Sequence, residues 1–427
     1  MFAPYRRALA APGALAFTLS GLLARLAFTM NGVAVLVLVA DRRGSYALAG
    51  AVCAAGVVAA AAGMPLLGRL VDRYGQARVT VPAVLARIAP VLALAACARG
   101  GAPDWTLFVC WAAAATTPNL GGMARARWAH LHRADETARH RANALEQALD
   151  ELCFMAGPVL AMLLSTALTP EVALLAANGL GTVGALLFAA RRDTEPPVGP
   201  PATGTTAPLR SAGLRVLVLT FLATGVLFGS LEVTTVAYTD ALGHRPVAGV
   251  LLALVAAGSC LSGLLYGLRP ARRSPAARFL AGVAAMAVLL LLPPAAVHAG
   301  AGLPGLAVAL LAAGCGTAPT MVSGMTLIQE LLPPRQLNEG MALAVSGILA
   351  GISAGAALGG AIAERAGPGA GYLVPAAAAL LALLTATAGR RRLARPVRPV
   401  HLVPPARPTA DGAAPADQPR RAVGAAR

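Results

Sequence analysis

The chain has 427 residues, 57% of them hydrophobic and 12% charged, with a formal net charge of +17. Soluble domains carry roughly 25% charged residues, so this composition excludes a water-soluble enzyme or binding module. The positive charge is spread between and beyond apolar runs, which excludes the single basic face that nucleic-acid recognition needs.

Apolar runs of about 20 residues, the length that crosses a bilayer core, recur twelve times. In chain order the expected spans are 14–40, 46–68, 79–99, 104–123, 148–168 and 172–190, then 214–238, 247–268, 278–297, 304–328, 339–363 and 371–389. The fold class is therefore an all-α polytopic membrane protein. Every basic residue is an arginine, which reads as codon usage of a GC-rich genome as much as function. With the N-terminus inside, 28 of the 35 arginines fall on the cytoplasmic side and five outside, Arg42 and Arg43 among the five. That bias predicts both termini in the cytoplasm. Residues 1–13 are short and basic, and the first span is too long for a signal-peptide core, so it is expected to stay as an uncleaved anchor.

Residues 191–213 are polar and rich in Pro, Gly and Thr, and they divide the chain in two. The expected organisation is a six-helix bundle over 1–190, a cytoplasmic linker over 191–213, a second bundle over 214–392, and a disordered basic tail over 393–427. Two six-span halves joined by a cytoplasmic linker is the parallel-repeat layout of many secondary transporters. The six cysteines are scattered without a CxxC pair and read as small packing residues. His130, His132 and His140 fall in an Arg-rich loop and read as solvated rather than metal-binding. No phosphate-binding loop can form without lysine, and no zinc-protease or Ser-centred hydrolase motif is present. No cofactor, metal or catalytic activity is expected.

The loop after the second span reads Gly68-Arg69-Leu70-Val71-Asp72-Arg73-Tyr74-Gly75-Gln76-Ala77-Arg78. It resembles the G-x-x-x-D-R-x-G-x-x-R signature of the major facilitator superfamily, with Gly68, Asp72, Arg73, Gly75 and Arg78 in register. The resemblance implies two pseudo-symmetric six-helix bundles. It also implies that Asp72, within a charge cluster, gates exchange between states by docking near the start of span eleven. The matching loop of the second half, around Gly267, lacks the Asp, so any gate is asymmetric. In span five, Gly157-Pro158 resembles part of the antiporter motif of drug–proton exchangers in that family, with Cys153 and Ala161 in place of the flanking glycines. Pro158 permits a bend and Gly157 a close helix approach. Arg125-Ala126-Arg127-Trp128 and Leu231-Glu232-Val233 look like an actinobacterial branch of the same carriers. Span eleven carries Gly347, Gly351, Gly355 and Gly359 four apart, a groove for packing or sliding.

Ions inside a membrane are expensive and mark candidate functional groups. Glu146, Asp150 and Glu151 lead into span five. There they read either as proton-coupling groups, since a shielded carboxylate can hold a proton, or as an N-terminal cluster paired with Arg125 and Arg127. Glu232 in span seven is expected to face a central cavity. Arg25 is expected to meet Asp150 or Glu232, or else an anionic group of the substrate, and Asn31 to line the same cavity. Arg87 in span three reads as a snorkelling arginine.

The expected function is secondary transport by alternating access in the plasma membrane. The favoured form is proton-coupled efflux of a drug-like or natural-product compound, by a monomer whose partners are substrate, protons and lipid. Uptake of a small metabolite and a non-transporting sensor on a carrier fold are the alternatives.

Overall fold

The structure, a computed structural model, describes residues 3–198, 207–244, 247–269 and 273–394. Most of the tail expected to be disordered, and residues 199–206 of the linker, lie outside them. Twelve helical segments account for the membrane fold. They are α1 (Ala14–Arg43), α2 (Tyr46–Tyr74), α3 (Gln76–Arg99), α4 (Trp105–Ala115 and Leu120–Leu131), α5 (Glu136–Ala167) and α6 (Pro170–Ala190), then α7 (Ala212–Ala241), α8 (Val247–Leu268), α9 (Pro275–His298), α10 (Gly302–Leu331), α11 (Leu337–Ala366) and α12 (Ala370–Ala388). All except α4 are, by length and composition, long and apolar enough to cross a membrane.

Local chemistry sets the ends. Ser45, Asp135, Thr169 and Ser274 each accept a backbone N–H at the start of a helix, with Pro170 and Pro275 in the first turn of theirs. Gly75 has φ 97° and turns α2 directly into α3, a conformation open to glycine alone without strain.

The fourth span departs from the expected single helix over 104–123. Residues 116–119 leave the helix around Pro118, and Asn119 caps a second helix by accepting from Gly122 N at 3.0 Å. Similar breaks occur at Arg87 in α3, at residues 290–291 in α9 and at Gly316 in α10. Each stands three residues before a proline (Pro90, Pro293 and Pro319), whose missing N–H frees a carbonyl four residues back. The breaks fall in α3 and α4 and in their counterparts α9 and α10, so the two bundles repeat one another in detail.

Helix α5 begins twelve residues before its expected start. Glu146, Asp150 and Glu151 thus lie well inside a helix, and attraction to a helix N-terminus does not explain them.

Within each bundle, backbones meet at glycines. Gly157 of α5 sits on α1, where an added Cβ would lie 2.1 Å from Thr29 Oγ1. Pro158 follows it without interrupting the helix. The counterpart contact is α7 on α11. A Cβ at Gly225 or Gly229 would lie 2.2 or 2.0 Å from the carbonyl oxygens of Ile348 and Ile352. A Cβ at Gly351 or Gly355 would lie 2.1 Å from those of Leu222 and Val226. Gly347 and Gly359 extend the same contact. The groove of span eleven is therefore filled by α7 of its own bundle and is not a track between bundles.

Gly229→Val places two methyl groups where backbone already stands, an overpacking cost of about 1–3 kcal/mol or more. It should lower the thermal midpoint of the detergent-purified protein clearly, whereas Gly50→Ala, where a Cβ meets nothing within 4 Å, should leave it unchanged or raise it slightly. Equal midpoints would contradict the α7–α11 contact.

Candidate functional site

The two bundles, α1–α6 and α7–α12, meet along one side of the molecule, the side that carries most of the arginines. At its edge Tyr5 Oη donates to Leu264 O at 2.5 Å, Arg139 pairs with Glu330 at 3.0 Å, and Arg278 pairs with Glu136 at 2.7 Å. Deeper in, Asn143 Nδ2 donates to Thr326 Oγ1 and Gln329 Oε1, each at 2.9 Å. Deepest is Glu151, fifteen residues along α5 from Glu136, or about 22 Å. Its Oε1 accepts from Ser259 Oγ of α8 at 2.7 Å. Among the described residues, the polar contacts at the opposite end stay within a bundle. Arg42 grips Glu171 with both nitrogens at 2.7 and 2.9 Å, Arg43 lies 3.7 Å from Asp104, and Tyr372 Oη donates to Thr235 Oγ1 at 3.1 Å.

His140 belongs to this seam. It is buried, with Nε2 3.1 Å from Tyr266 O and Nδ1 3.3 Å from Arg278 Nη1, so the reading of His140 as solvated is corrected. His132 stacks on Trp128 at 5.5 Å. No cluster suited to a metal ion occurs among the described residues.

Asp72 closes the seam between α2 and α11. Gly68 lets the helices touch: a Cβ there would lie 2.8 Å from Asn338 O. Asp72 Oδ1 accepts from Asn338 N at 3.1 Å and Asn338 Nδ2 at 2.7 Å, and Oδ2 accepts from Glu339 N at 2.9 Å. The carboxylate caps the start of α11 from another helix, where free N–H groups and the helix dipole favour an anion. An arginine cluster around Asp72 was the expectation. Instead Arg73 is exposed over the Tyr74 ring, Arg78 is exposed, and the nearby ion pair is Arg69 with Glu339 at 3.4 Å. Gly75 packs against the linker, whose Glu195 Oε1 accepts from Ala77 N at 3.2 Å.

At the centre the side chains form one continuous polar line. Buried Arg25 of α1 lies 2.7 Å from Glu146 and 2.7 Å from Asp150, and Arg125 of α4 binds the other oxygen of Asp150 at 2.7 Å. Trp128 Nε1 donates to Glu146 Oε1 at 2.7 Å. Arg125 reaches Gln147 Oε1 at 3.3 Å, and Gln147 Nε2 donates to Glu151 Oε1 at 3.1 Å. Ser259 continues to Thr317 Oγ1 of α10, which donates to it at 2.8 Å. The line thus runs from α1 through α4 and α5 into α8 and α10, across both bundles. Asp150 is clamped by two cations. Among the described residues, half-buried Glu151 is held by an amide and a hydroxyl and by no cation.

Three expectations are corrected. Glu232 is not the partner of Arg25: it is exposed, with no ion pair or hydrogen bond among the described residues. Arg127 is outside the cluster. It is fully buried under the linker, donating to Gln76 Oε1 and Thr194 Oγ1 at 2.7 and 2.8 Å, with its guanidinium 3.8 Å from the Phe188 ring centroid. Asn31 is not at a cavity wall but buried against α6, accepting from Asn178 Nδ2 at 3.0 Å. Ser259 and Thr317 were missed, because isolated hydroxyls in apolar runs carry no pattern.

Comparison with known proteins gives consistent results. The family described as Major Facilitator Superfamily matches residues 17–303 and 272–418. An uncharacterized MFS-type transporter, y4rN, of Sinorhizobium fredii is 28% identical over 374 residues, covering 84% of this chain and 90% of that protein. A bacterial homologue of the iron transporter ferroportin in an outward-facing state superposes with a TM-score of 0.70 at 16% identity, covering 88% and 98% of the two chains. The human organic anion transporter MFSD10 gives 0.67 at 18% identity, covering 87% and 98%.

Asp72→Asn keeps the shape and removes the charge that caps α11. A hydrogen bond to a charged group contributes about 1.5–3 kcal/mol, so the seam should open more often. In a cysteine-free background, a cysteine at Ala342, buried there beside Ala60 and Met64, should react several times faster with a water-soluble maleimide once Asp72 is Asn. An unchanged labelling rate would show that the carboxylate does not hold the seam.

Proposed function

The chain belongs to the Major Facilitator Superfamily, and we propose that it is a proton-coupled exporter of a small amphipathic or cationic compound, working by alternating access. Membrane transport follows from the family and fold. The direction, the coupling ion and the cargo are the proposal, as are the plasma-membrane location, cytoplasmic termini and monomeric state. The division into bundles 1–190 and 214–392, with linker 191–213 and tail 393–427, is proposed with it.

The observation that carries the reading is the one-sided seam. Its side is the arginine-rich one, which the positive-inside bias assigns to the cytoplasm. The molecule is then closed inward and open outward. Rocking the bundles about the centre would part Asp72 from α11 and Glu151 from Ser259, exposing the same centre to the cytoplasm.

Glu151 is the proposed coupling group. Neutralising Asp150 would leave Arg25 and Arg125 facing a neutral acid deep in the protein. Breaking such a buried ion set costs about 3–5 kcal/mol, so Asp150, with Glu146, is assigned to holding the bundle together. A proton on Glu151 leaves no cation unpaired. It changes the contacts to Gln147 of the same helix and to Ser259 of α8, and the second joins the bundles, so protonation state and seam are linked. Glu232, exposed on α7, is the proposed contact for a cationic cargo. Gly157 and Pro158 keep α5 close against α1 while it carries both charged groups.

The test uses everted membrane vesicles with ethidium as probe cation. Vesicles containing the protein should accumulate ethidium when an inward-acid gradient is imposed and release it on adding a protonophore. Glu151→Gln should lower gradient-driven accumulation at least tenfold while the protein remains folded. Accumulation that ignores the gradient would sink the coupling claim, and full activity of the Glu151→Gln form would remove Glu151 from it.

A further inference from the structure

Arg87 takes no part in the seam. It interrupts α3 eleven residues from Gln76 and twelve from Arg99, about 17 Å from either end at 1.5 Å per residue. The side chain does not snorkel outward. Its Nη2 donates to Asn178 Oδ1 of α6. Asn178 is itself fixed, donating to Asn31 Oδ1 at 3.0 Å and to Leu174 O at 2.7 Å. Arg87 Nε is enclosed and has no hydrogen-bond partner among the described residues. No carboxylate among them stands beside the guanidinium, as none of their ion pairs includes it.

Amides can solvate a cation but cannot neutralise it. The charge opens onto a cleft of about 280 Å³ between α3 and α6, with apolar walls that include Ile88, Leu92, Leu175 and Val183. All four of these side chains carry open surface, so the cleft faces outward from the bundle, where lipid would lie. A fixed cation in an apolar cleft halfway through a membrane needs a counter-ion, and none stands among the described residues around it.

We propose that this cleft binds an amphipathic monocarboxylate that enters from the bilayer. The carboxylate meets the guanidinium fork, whose planar geometry matches two carboxylate oxygens. The hydrocarbon tail lies along Ile88, Leu92, Leu175 and Val183. Depth selects the class: a phospholipid keeps its phosphate near the surface of a hydrocarbon core about 30 Å thick, too far to reach Arg87. A single-chain acid carries no second charge to hold it at the surface, so the guanidinium can draw its carboxylate to this depth. The site lies on the outer face of one bundle, so it stands whether or not the seam moves or the cargo is a cation.

The test uses full-length protein in nanodiscs of neutral phosphatidylcholine and a decanoic acid carrying a diazirine at its chain end. Photolysis should attach the probe to α3 and α6 around Leu92 and Val183. Excess decanoate should suppress the adduct at least tenfold, and decanol should not. Arg87→Gln should reduce it at least tenfold, while Arg87→Lys, which keeps a cation, should retain part of it. Adducts spread evenly over the lipid-facing helices, or equal competition by decanol, would overturn the proposal. So would suppression by phosphatidylglycerol but not by decanoate, which would assign the cation to a lipid headgroup. The wild-type competition decides the matter even if the Arg87 variants fail to fold.

Discussion

Within hydrocarbon, an ion keeps its charge where another group answers it. That constraint arranges this molecule. Arg25 is answered by Glu146 and Asp150, and Asp150 again by Arg125. Asp72 is answered by the backbone of a different helix. Glu151, like Asp72, is answered by neutral groups, in its case two side chains, and one of them belongs to the opposite bundle.

Two kinds of contact divide the labour. Inside each bundle, α1 meets α5 and α7 meets α11 at glycines, with backbones too close for a single added carbon. Such contacts have no partly open form, and each bundle behaves as a unit. Between bundles, beside the close approaches at Gly68 and Gly267, the polar joints are hydrogen bonds and ion pairs, and near the arginine-rich surface water can replace a partner at little net cost. In the proposed cycle the strong contacts move together and the replaceable ones part. The second-half counterpart of the Asp72 contact is built differently. Gly267 approaches Ala144 there, and Tyr5 and His140 bridge α8. The two sides of the seam therefore need not open with equal ease.

Much of the fold was legible in the sequence because lipid as solvent leaves a coarse signal: twenty apolar residues and an arginine bias. The helix breaks were less legible, since Pro90, Pro118 and Pro319 interrupt their helices while Pro65 and Pro158 do not. Proline alone therefore does not decide the outcome. Among the site residues, the pairing of Arg25 with Asp150 followed from two charges that no water could reach. Glu232 misled only as a partner for Arg25, which Glu146 and Asp150 satisfy while Glu232 lies on an open face. Arg127 misled because its partners are a linker and an aromatic face, neither of which shows in a count of charges. Ser259 could not have been found: a hydroxyl acquires meaning only when Glu151 is seen opposite it.

The central claim is that the two bundles exchange a seam on one side for a seam on the other. Spin labels at Tyr46 and Leu242, on the ends away from the arginine-rich side, and at Tyr74 and Leu209, on that side, all occupy exposed positions. Electron–electron distance distributions for the two pairs, recorded in lipid across a range of pH, test it most directly. The account predicts two populations for each pair, with the long distance of one pair gaining weight as that of the other loses it. A single unchanging distance for both pairs at every pH would contradict it.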